Sequence, residues 1–62
     1  MNRKDLIYLA ATLKVELIQI NTPNANTNIE SWIRFFSKES VKELKTTIEN
    51  LKKNLGYEVI TY

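Results

Sequence analysis

Between Arg3 and Ile20 the apolar residues Leu6, Leu9, Ala10, Leu13, Leu17 and Ile20 keep the spacing of one face of a helix. Asn2 suits the N-cap of that helix, with Asp5 three residues on as a weaker form of the capping box. Met1 and Leu6 are spaced to clasp that cap as a hydrophobic staple. Only Val15–Ile20 is dense enough in β-branched residues to admit a strand instead.

Asn21-Thr22-Pro23-Asn24-Ala25-Asn26 then breaks the pattern. Pro23 has no N–H to donate and disfavours helical backbone at Thr22, and asparagine competes for backbone hydrogen bonds, so the segment reads as a loop. Thr27-Asn28-Ile29-Glu30 has the form of a capping box with Thr27 as the N-cap. It predicts a second, short helix over 28–37, with Ile29, Trp32, Ile33 and Phe36 on one face. Ser40-Val41-Lys42-Glu43 is another capping box, opening a third helix over 40–55. Its apolar positions, Val41, Leu44, Ile48, Leu51 and Leu55, form a narrow seam at alternating steps of three and four. Gly56 is placed to end it, with Tyr57 folding back onto Leu51. The remaining Glu58–Tyr62 is strand-like in composition.

The elements add up to an all-α fold, a small three-helix bundle with an extended C-terminal tail, in one domain over 1–62. The expected core is Leu6, Leu9, Leu13, Leu17, Ile29, Trp32, Ile33, Phe36, Val41, Leu44, Ile48, Leu51 and Leu55. The alternative is an α+β fold in which Val15–Ile20 and Glu58–Tyr62 pair as strands. Sixty-two residues bury a marginal core, so a domain of this size leans on very regular packing, a staple or a second chain. With no cysteine and no histidine, a disulfide is excluded and the usual zinc and copper ligands are missing. Regular packing and association remain.

The same absences bound the chemistry. No nucleophile–base pair can be assembled without His or Cys, short of an unusual Ser–Lys arrangement, and a single glycine makes no phosphate-cradling loop. The expectation is a non-enzymatic protein with no cofactor, no metal and no small-molecule substrate. No run approaches the roughly 20 apolar residues of a membrane span, and Asn2-Arg3-Lys4-Asp5 after Met1 is unlike a secretory leader. A cytoplasmic protein with no membrane partner is expected.

Two features point outward. On a helical wheel the first segment carries not one apolar stripe but two, the second made by Ile7, Tyr8, Ala11, Val15 and Ile18. Lys14 separates them on one side, and Thr12, Glu16 and Gln19 on the other. A surface helix needs one stripe, so two imply burial on two sides. Either the rest of the chain covers both, or the second stripe meets another chain. The second option gives a protein interface of Ile7, Tyr8, Ala11, Val15 and Ile18, with Phe35 on the short helix as a further anchor beside Arg34. That makes the protein a small regulator or inhibitor binding a protein target or itself as a homodimer. The other feature is a lysine ridge, Lys42, Lys45, Lys52 and Lys53, flanking the third seam, which gives nucleic acid as the alternative partner. Glu49 in the middle of that ridge, and a net charge of only +2, weigh against it.

Overall fold

Three helices form where the capping and periodicity place them, in a computed structural model that describes residues 2–56: α1 (Arg3–Asn21), α2 (Ile29–Phe36) and α3 (Val41–Leu55). Val15–Ile20 lies inside α1, so the alternative that pairs it as a strand is overturned. The i→i−4 bonding of a helix already running from Arg3 outweighs the β preference of Val15, Ile18 and Ile20. The Met1–Leu6 staple, the return of Tyr57 onto Leu51 and the strand over Glu58–Tyr62 lie outside the described residues.

The caps explain the boundaries. Asn2 accepts the Asp5 N–H at 2.9 Å and starts α1. At the far end the Thr22 N–H reaches the Ile18 carbonyl at 2.7 Å, and the Ala25 N–H bonds to Thr22 at 2.9 Å in the turn around Pro23. The start of α2 differs from the expected Thr27 capping box. Asn28 is the N-cap, its side-chain oxygen accepting the Glu30 N–H at 2.9 Å. Asparagine ranks above threonine as a cap, and with Asn28 in that role the helix begins one residue later. The Thr27 hydroxyl is left buried with no hydrogen-bond partner. The capping box of α3 is complete. Glu43 N–H donates to Ser40 Oγ at 3.2 Å, and Ser40 N–H donates to Glu43 Oε1 at 3.1 Å. Gly56 ends α3 with φ +81°, the left-handed conformation that favours glycine.

Helix α1 is the shared partner: α2 and α3 both pack chiefly on it rather than on each other. Arg3 ties its first turn to the α2–α3 turn, donating from Nη2 to the Ser37 carbonyl and, at 3.1 Å, to the Glu39 carbonyl. The end of α2 therefore lies beside the start of α1, so α2 runs back along it, and α3 sets out from that same end. Thr47 Oγ1 adds a 3.0 Å bond to Glu39 Oε1, which fixes the turn against α3.

The core is Leu6, Ile7, Ala10, Ala11 and Leu13 of α1, Phe36 of α2, and Leu44, Ile48 and Leu51 of α3. Leu9, Leu17, Ile29, Trp32, Ile33 and Leu55 pack partly buried against it. Val41, expected inside, is 40% exposed. It stands at the first position of α3, before the seam has turned fully onto α1. Two alanines of α1, Ala10 and Ala11, have no exposed surface at all. Small side chains at those positions let two helices approach one helix closely on adjoining faces.

Candidate protein-interaction surface

The six residues expected at an interface divide into three groups. Ile7 and Ala11 are interior, 8% and 0% exposed. They belong to the core and not to an outward-facing stripe, because the chain itself covers them. Both stripes of α1 are in use over its first three turns: Leu6, Ala10 and Leu13 from one, Ile7 and Ala11 from the other. On the wheel they form a single broad buried arc with Lys14 within it. Lys14 is half-buried, and its Nζ lies 5.2 Å from the Trp32 ring centroid. An ammonium over an indole face retains electrostatic stabilisation while its methylene stem covers apolar surface. A charged residue thus sits between the two stripes without dividing the core.

Val15 and Ile18 form the second group and are half-buried. Every fully buried residue of α1 lies between Leu6 and Leu13. Beyond them Val15, Leu17 and Ile18 are partly covered, and Ile20 is 61% exposed. The open end of α1 therefore includes Ile20, which the sequence pattern assigned to the inner stripe. Its position in the last turn was the one available hint.

Tyr8 and Phe35 are the third group, 59% and 56% exposed. They belong to different helices. Tyr8 lines a shallow open hollow on the outer face of α1 with Asp5, Leu9 and Thr12. The Thr12 hydroxyl is engaged within the helix, donating to the Tyr8 carbonyl at 2.9 Å. Phe35 stands edge-on to Trp32 at 5.4 Å and to Phe36 at 5.3 Å, while Trp32 and Phe36 stack at 5.8 Å. Phe36 is the buried member of this aromatic group and Phe35 its outer edge.

On α3, Lys42, Lys45 and Lys53 are exposed and Lys52 is half-buried. Glu49 falls within their arc on the same flank, so the ridge carries a carboxylate in its middle. A second shallow hollow, lined by Glu39, Lys42, Glu43, Thr46 and Thr47, lies along α3. Of the carboxylates, Glu43 has its pKa lowered by the Ser40 backbone N–H first and the Ser40 hydroxyl second, with desolvation opposing. Its chemistry is therefore that of a helix cap. Among the described residues no group of three or more Asp, Glu, His or Cys is placed to hold a metal ion. No described helix is long and apolar enough to cross a membrane. Compared with known proteins, the chain matches no family, no curated protein and no solved structure.

Proposed function

We propose that this is a small non-enzymatic protein-binding protein, a regulator or inhibitor that docks through the apolar surface of α1 and associates with itself as a homodimer. One observation supports the reading. Helix α1 carries two apolar stripes, yet its two neighbours cover only part of them, leaving Tyr8 and Ile20 well exposed and Leu9, Val15, Leu17 and Ile18 half-covered. A large contiguous apolar patch left exposed on a small fold marks an interaction site. An aromatic ring with a polar tip, such as Tyr8, is the type of side chain that anchors interfaces. The non-enzymatic part of the reading rests on the absence of His and Cys from the sequence. A cytoplasmic location belongs to the same proposal.

The test is the solution mass by light-scattering chromatography across a micromolar-to-millimolar dilution series. The expected result is twice the chain mass at the concentrated end. Tyr8→Asp should shift the series to monomer with helix content by circular dichroism unchanged, since Tyr8 is 59% exposed and lies outside the buried core. A parent protein that is monomeric at every concentration would remove self-association. A dimer untouched by Tyr8→Asp would remove this face of α1.

A further inference from the structure

We draw no further inference here: the strongest candidate, the half-covered C-terminal end of α1 at Val15, Leu17, Ile18 and Ile20, is an apolar face for which nothing in the structure shows what covers it.

Discussion

Single side chains decide where each helix of this protein begins. At the start of α2, two candidates one residue apart compete, and Asn28 takes the role while the Thr27 hydroxyl is buried without a partner. A buried hydroxyl with no bond is a cost of about 1–3 kcal/mol. Replacing it with an isosteric methyl removes the cost and keeps the shape. Thr27→Val should therefore leave stability unchanged or raise it by up to about 1 kcal/mol, as measured by urea denaturation. Were Thr27 the true cap, the same substitution would lower stability by about 1 kcal/mol. At α3 the reciprocal Ser40–Glu43 pair makes the opposite forecast: Ser40→Ala should cost about 1 kcal/mol. The pair also sets a pH dependence. Hydrogen bonds from Ser40 favour the ionised carboxylate of Glu43, so its folded pKa lies below the unfolded one. A depressed carboxylate contributes stability that is full above the unfolded value, about 4.3, and is lost as pH falls through the folded value. Thermal midpoints taken through the acid range should fall with pH, and Glu43→Gln should flatten that fall while keeping a side chain able to accept the Ser40 N–H.

Among the elements, α1 carries most of the organisation. A helix packed on two adjoining faces needs small residues where its neighbours come closest, and Ala10 and Ala11 are completely enclosed. Enlarging either forces the neighbouring helices apart or off their rotamers. Ala11→Leu should destabilise by about 1–3 kcal/mol, and a stability curve superimposed on that of the parent protein would place Ala11 on an open surface. The two-stripe pattern of α1 was visible in the sequence, as was the conclusion that it is buried on two sides. Which partner did the burying was not visible. Periodicity records that a residue is apolar, and an apolar residue facing a second chain has the same spacing as one facing a helix of its own chain. Lys14 shows a related gap. In the sequence it separates two stripes, whereas in the fold it lies over Trp32, on a helix joined through a seven-residue loop. Nothing local to either residue announces that contact.

For the molecule as a whole, the extents of 35 × 26 × 14 Å leave room for helix on helix but for no third layer, so α1 keeps an outer face in contact with solvent. The proposed docking surface includes Tyr8, which is 59% exposed. The lysines of α3 offer the alternative. Counterion release makes nucleic-acid binding fall steeply with salt, so duplex DNA would be retained at low ionic strength and released on raising it. With Glu49 inside the ridge and a net charge of +2, we expect no retention even at low salt. Salt-sensitive binding lost in the Lys45→Glu, Lys52→Glu double variant would instead make nucleic acid the partner.

The three helices, two of their N-caps, the glycine at the end of α3 and most of the inward-facing residues are legible in the order of the amino acids. Each of these is set by the 3.6-residue period or by bonds spanning a few residues, and both are written into adjacent positions. The packing of the helices settles that Ile7 and Ala11 belong to the core, that Val41 and Ile20 stay open, and that Arg3 joins the start of α1 to the α2–α3 turn. Those outcomes depend on where one helix stops along another. Helix lengths and loop spans fix that geometry jointly, and no local pattern of residues encodes it.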